Sequence, residues 1–334
     1  MKRAVLPVLF LLCLTGWLQA QRPYVGQALR EALQAANAPL ARSATPLDLL
    51  IVFEEQVDFK ALKKAMDAEG LNARERPRRV MRACMQLAEK SQGALEATLR
   101  DAGQDRPLKR HWIVNAVVVR TDAQTATALT ERRDIRWMDL DTAWKARVLP
   151  PSSALPSPAS PNGREPGLTA INAPALWAMG YTGKNRISYN IDTGVWPEHP
   201  AFSDRFLANF YPMSQAWYAY DFPIPADKSG SHGTHTLGTA LGLEKATNDT
   251  IGVAFNAYWI ASDPVATSLA TVKPLSDFMF AFEWGMNPDG DTTTSHDVPD
   301  VINNSWGYDS PGDTALCTNS FVSQMMDAIE AAGI

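Results

Sequence analysis

The sequence predicts an α/β protein: a parallel sheet with helices on both faces, preceded by a small α+β unit. Two observations carry this. After residue 167, short apolar strands alternate with helical patterns, the order that the crossovers of a parallel sheet require. Before residue 148, strands and helices also interleave, and a Pro/Ser-rich break separates the two regions.

The first twenty residues, "MKRAVLPVLFLLCLTGWLQA", carry two early positive charges, then an apolar core and a small residue, Ala20. This is the pattern of a secretory signal peptide (1–20), and no longer apolar span follows to act as a membrane anchor. Residues 46–147 contain the α+β unit. "LDLLIVFE" reads as a strand and "DFKALKKAMDAE" as a helix. A second helix follows, with Val80, Cys84, Leu87, Ser91, Leu95 and Leu99 along one stripe. "HWIVNAVVVRT" reads as a β-rich run, "AQTATALTERR" as a helix and "IRWMDL" as a closing strand, with the helices expected on one face of an antiparallel sheet. Residues 148–167, "VLPPSSALPSPASPNGREPG", form an exposed linker open to proteolysis.

Residues 168–334 carry the parallel-sheet pattern. A helix is expected at "AINAPALWAMG", then a strand ending in Asp-Thr-Gly at "GKNRISYNIDTG". "AYWIAS" and "DVINNSWG" read as strands, "VKPLSDFMFAFEWGM" and "SFVSQMMDAIEAAGI" as helices. With 31 basic against 36 acidic residues and no long basic run, nucleic acid is excluded as a partner class. Cys13 falls in the signal peptide; Cys84 is expected buried on its helix and Cys317 unpaired, with no clustered Cys/His pattern for structural zinc.

Asp192 follows the strand "ISYNI". A carboxylate at the end of a buried strand is expensive unless hydrogen-bonded or functional, and the strand ends of parallel sheets are where sites form. A turn-capping Asp remains an equal reading of the tripeptide alone. His232 opens the helical segment "HGTHTLGTAL", facing the strand ends, where a carboxylate that fixes its tautomer would make it a base. His235, one turn on, reads as a packing residue. A zinc site on His232 and His235 lacks the Glu of His-Glu-x-x-His and a third ligand. An aspartic-protease reading needs a second Asp-Thr-Gly, and "DTAW" at Asp141 lacks the glycine.

With "NIDTGVWPEHPAF", "SHGTHTLGT" and "DVINNSWG" in this order, the second region resembles the subtilisin-like serine proteases, most of all the bacillopeptidase F group. The resemblance implies a subtilisin-like sheet, incomplete here, and an upstream unit similar to the ferredoxin-like inhibitory propeptides of these secreted enzymes. It implies that Asp192 orients His232, that His232 is the general base, and that Ser305, Trp306 and Gly307 line the substrate groove. His235 matches a structural histidine of the family. Peptide substrates and the chain's own propeptide are the implied partners, and no cofactor is expected. Calcium is doubtful at one family position, because the usual Asp ligand is Ala201.

The family's nucleophile lies in a Gly-Thr-Ser segment and its oxyanion donor in Ala-Gly-Asn, and neither segment occurs in this sequence. The sequence therefore predicts an exported endopeptidase precursor whose serine lies beyond Ile334, inactive as it stands. The alternative is a truncated, non-catalytic product whose upstream unit inhibits or binds proteases.

Overall fold

The strand predicted at "LDLLIVFE" buries consecutive side chains on both of its faces, and the upstream half of the molecule is organised around it. The computed structural model describes residues 22–36, 45–103, 109–142, 146–147, 163–228, 230–267, 272–308 and 321–334. The proposed signal peptide, most of the linker and Cys317 lie outside the described residues. The upstream strands are β1 (Tyr24–Val25), β2 (Leu47–Phe53), β3 (Lys109–His111), β4 (Ala116–Thr121) and β5 (Ile135–Leu140). They are joined through α1 (Gln27–Ala36), α2 (Phe59–Glu69), α3 (Arg76–Asp101) and α4 (Ala123–Leu129). The order is β1-β5-β2-β4-β3; β2 runs antiparallel to β4 and β5, and β1 joins parallel to β5. Local chemistry sets the helix starts: Asp58 accepts from Ala61 N at α2, and Asp122 from Thr125 N at α4.

Alternate β2 side chains point to opposite faces. Leu49, Ile51 and Phe53 cluster with Leu29 of α1, Leu95 and Leu99 of α3, and Leu129 of α4. Leu50 and Val52 cluster with Phe59 and Met66 of α2 and Val80 and Cys84 of α3. Helices were expected on one face; the sheet is covered on both, because Leu49–Phe53 has no alternating polar set to leave in water. On α3 the stripe is as expected at Val80, Cys84, Leu95 and Leu99, but Ala88 and Gln92 fill its middle while Leu87 and Ser91 are half-buried. Cys84 is free, and burial pushes its thiol up to about 12.

Beyond β6 (Ala146–Arg147), the expected helix "AINAPALWAMG" is divided. α5 (Pro166–Ala170) ends at its first residue and α6 (Ala173–Ala178) lies within it, the two parted at Asn172, whose φ is 60°. Pro174 has no N–H to continue a helix and its ring clashes with the preceding turn, so it starts a new one instead. The second sheet contains β7 (Ile187–Ile191) and β8 (Trp217–Tyr218), followed by α7 (His232–Leu241) and the hairpin of β9 (Leu243–Glu244) and β10 (Asp249–Thr250). Then come β11 (Tyr258–Ser262), α8 (Leu275–Met286), β12 (Val301–Asn304), β13 (Gly307–Tyr308) and α9 (Phe321–Ala332). Strands β12-β7-β11-β8 are parallel throughout, as expected.

β7 shows why helices lie on both faces. The Tyr189 hydroxyl donates to Ala281 O of α8 at 3.0 Å, and its ring lies against Gly285, where an added Cβ would come within 2.7 Å. The neighbouring Asn190 points the other way and donates to Gly233 O of α7 at 3.1 Å. α9 packs on α2, α3 and α8, and Met325, Ala328 and Ile329 carry one apolar cluster across both regions. The two regions flanking the linker thus share a core. Among the described residues no helix is long and apolar enough to cross a membrane.

Arg205 is buried and holds three segments together. Its guanidinium donates to Leu241 O at 2.8 Å, Ala257 O at 3.2 Å and Ala201 O at 2.6 Å. Arg205→Met leaves three buried carbonyls without these donors and is expected to destabilise the fold by about 3 kcal/mol or more. Chemical denaturation reads this as a lowered midpoint; an unchanged midpoint contradicts the assignment.

Candidate active site

The end of β7 places Asp192 below the start of α7. The backbone of Asp192 is fixed on both sides: its N–H donates to Ser262 O at 3.2 Å and its carbonyl accepts from Val265 N at 3.2 Å. Its side chain has no exposed surface. Oδ1 accepts from Thr193 N and meets His232 Nδ1, both at 2.7 Å, and Oδ2 accepts from the Thr236 hydroxyl at 3.0 Å. Burial pushes the Asp192 carboxyl above the usual carboxylate range, against the opposing pull of His232, Thr193 and Thr236. The carboxylate fixes the proton of His232 on Nδ1, so Nε2 carries the lone pair.

The run of small residues around His232 is a fitting requirement. Ser231 sits in the left-handed region at φ 51° and turns the chain into α7. At Gly233 an added Cβ would stand 2.1 Å from Gly194 O, so only glycine lets the helix rest on the turn after Asp192. Ser231 makes no side-chain cap; that task falls to Asp227. One Asp227 oxygen accepts from Thr234 N at 2.7 Å and from the Thr234 hydroxyl, and the other accepts from the Thr193 hydroxyl at 2.7 Å. The Thr193 hydroxyl in turn accepts from Gly233 N at 2.9 Å. Asp227 therefore ties the residue after Asp192 to the first turn of the helix that carries His232. Lys228, also buried, pins this loop through Val265 O at 2.9 Å and Asp221 at 2.7 Å.

Asp192 and His232 are paired as expected. His235 is exposed on the outer face of α7 rather than packed beside the site. The residue four positions after His232 lies more nearly above it than the one three after, and Thr236 is the side chain that closes on Asp192. Ser305, Trp306 and Gly307 follow β12, in register with the end of β7, where Asn304 is opposite Ile191. The Trp306 indole donates to Ile191 O at 2.8 Å, one residue before Asp192, and its ring lies 4.9 Å from Phe278. The Ser305 hydroxyl is bonded to Asn303, not to His232. Gly307 pairs antiparallel with Arg147, so this edge accepts an extended chain. Asp141 binds Ser276 at the start of α8, with its carboxylate accepting from Ser276 N at 3.3 Å and Oγ at 2.6 Å. Ala201 is buried, its carbonyl held by Arg205.

Sequence reasoning missed Asp227 and Thr236. Sequence pointed away from Asp227, since Ser231 reads as the natural cap and only its left-handed backbone passes the task to Asp227. A raised carboxyl pKa in the folded state means that folding is favoured at low pH, and that this contribution is lost as pH rises through the folded pKa. Asp192→Asn is accordingly expected to leave the melting temperature at neutral pH unchanged or higher, with the difference from the parent shrinking in acid. A clear loss of stability at neutral pH in this variant contradicts the electrostatic reading.

Residues 190–333 match the model of the subtilase family. Bacillopeptidase F of Bacillus subtilis (strain 168) is 28% identical over 226 residues, which cover 63% of this chain and 15% of that protein. Subtilisin amylosacchariticus of Bacillus subtilis subsp. amylosacchariticus is 37% identical over 153 residues, 46% of this chain and 34% of the relative. The chain thus spans well under half the length of these two relatives. Among solved structures, fervidolysin from Fervidobacterium pennivorans aligns over 93% of this chain and 40% of its own, with 16% identity and a TM-score of 0.47. Over residues 190–333 the chain is thus similar to the subtilase family, and parts of it are similar to bacillopeptidase F and to the subtilisins.

Proposed function

We propose that the chain is part of an exported serine endopeptidase precursor of the subtilisin type. The observation that carries this reading is the 2.7 Å contact between the buried Asp192 and His232 Nδ1 at the carboxyl ends of parallel strands. In this reading His232 Nε2 takes the proton from a serine hydroxyl as that oxygen attacks the peptide carbonyl. Asp192 holds the ring and stabilises the imidazolium, and His232 then protonates the leaving amine. The serine and the oxyanion asparagine belong to polypeptide outside these residues, so the chain by itself hydrolyses peptides only at background rate. Substrate backbone pairs with the segment Ser305, Trp306 and Gly307. At Ala201 the side chain is a methyl group, so this reading has no calcium ligand there.

The upstream residues 46–147 act in this reading as a ferredoxin-like inhibitory propeptide, following a signal peptide at 1–20. Residues 148–167 are the segment cut on maturation, and 168–334 are the first part of the catalytic domain. Support comes from the antiparallel order β5-β2-β4-β3 and from the pairing of Ala146 and Arg147 with Tyr308 and Gly307. The same pairing favours a second reading, in which the chain is not catalytic and serves as a protease inhibitor.

In the polypeptide that carries the serine, His232→Ala is expected to lower peptide hydrolysis by about a millionfold and to leave the precursor uncleaved. Undiminished hydrolysis in that variant refutes the assignment. Inhibition of an active subtilisin by this chain, with no polypeptide carrying both this site and a serine found, supports the second reading.

A further inference from the structure

The segment 287–300, "NPDGDTTTSHDVPD", joins α8 to β12 and takes no part in the site above. Asp297 within it is 1% exposed, and neither of its carboxylate oxygens has a hydrogen-bond partner. A buried carboxylate in that condition is costly. Two further ligand-capable side chains converge on it. The ligand atoms of Asp289, His296 and Asp297 all lie within 4.8 Å of one another, and His296 Nδ1 stands 3.9 Å from Asp289 Oδ2.

We propose that Asp289, His296 and Asp297 bind one divalent transition-metal ion of the zinc class. The donor set decides the class: an imidazole with two carboxylates suits zinc or manganese, whereas calcium takes oxygen ligands alone. Bonds of about 2.0–2.2 Å require the three atoms to close by less than about 1 Å. Supporting contacts orient the ligands. Asp289 accepts from Asp291 N at 2.8 Å and from the Thr294 hydroxyl, and the His296 ring lies 5.3 Å from Tyr211. An open cleft lined by Arg74, Arg78 and His296 gives access from solvent. The arginines are engaged with backbone carbonyls, Arg74 with Ser295 and Val298 and Arg78 with Thr293. A bound ion would therefore stiffen the loop on which the start of α3 docks, and stabilise the fold by mass action.

The test is calorimetric titration of the whole chain with zinc, alongside His296→Ala and Asp297→Asn. One equivalent is expected in the parent, with Kd raised about tenfold or more in each variant. Cobalt should give visible absorption in the parent that both variants lose. His296 is exposed, so its variant folds and decides the matter even if Asp297→Asn does not. Zinc binding unchanged in His296→Ala, no zinc binding at all, or calcium binding in its place overturns the proposal. None of these outcomes depends on whether the chain belongs to a protease.

Discussion

A carboxylate with no exposed surface meets an imidazole at 2.7 Å, and the seating of α7 on the end of β7 is built around that contact. The Asp192 carboxylate also accepts hydrogen bonds from Thr193 N and the Thr236 hydroxyl, which offset part of the cost of burying it. Two of its three partners come from α7. The helix must therefore approach β7 closely, which Gly233 permits, and must begin at one residue, which the turn at Ser231 fixes. Asp227 supplies the missing cap and clamps Thr193 to the helix start. An imidazole is thus presented on a rigid element, its Nδ1 held from below.

The upstream region is attached to α8 by polar groups as well as by a shared apolar core. Glu283 of α8 is buried and accepts from the backbone N–H groups of Trp112 and Ile113, while its other oxygen meets His111 Nδ1 at 3.2 Å. Asp141 caps the start of α8, and Lys109 reaches Asp277 at 2.8 Å. Breaking one member of such a buried set costs more than an exposed ion pair, since its partners are left without solvent. These contacts place β3 and the residue after β5 against α8, and the chain from there leads to β6, paired with the edge at Gly307. Ala146 and Arg147 of the chain itself therefore pair with the edge at Gly307 and Tyr308.

What the sequence disclosed was local. "ISYNID" and "SHGTH" announce a strand end and a helix start whose chemistry is written in adjacent residues, so Asp192 and His232 were legible. β2, β7, β11 and the long helices were legible for the same reason, through runs and periods. What escaped depends on partners far along the chain. The bond from Trp306 to Ile191 O joins residues 115 apart, and Asp227 meets Thr193 34 residues away. β1 and β8 are two-residue strands that exist only by pairing with β5 and β11. Helices were expected on one face of β2, although the unbroken apolar run "LLIVF" leaves no polar face for water. His235 looked like a packing residue because its spacing from His232 is close to a helical turn; the remaining angle put it in solvent.

The central claim is that Asp192 holds His232 in one tautomer, with the proton on Nδ1 and the lone pair on Nε2. Nitrogen-15 NMR of the neutral imidazole in the whole chain reads this directly. The account predicts a protonated Nδ1 and an unprotonated Nε2, with the Nδ1 signature lost on Asp192→Ala. A proton on Nε2, or a mixture of tautomers indifferent to Asp192, contradicts it.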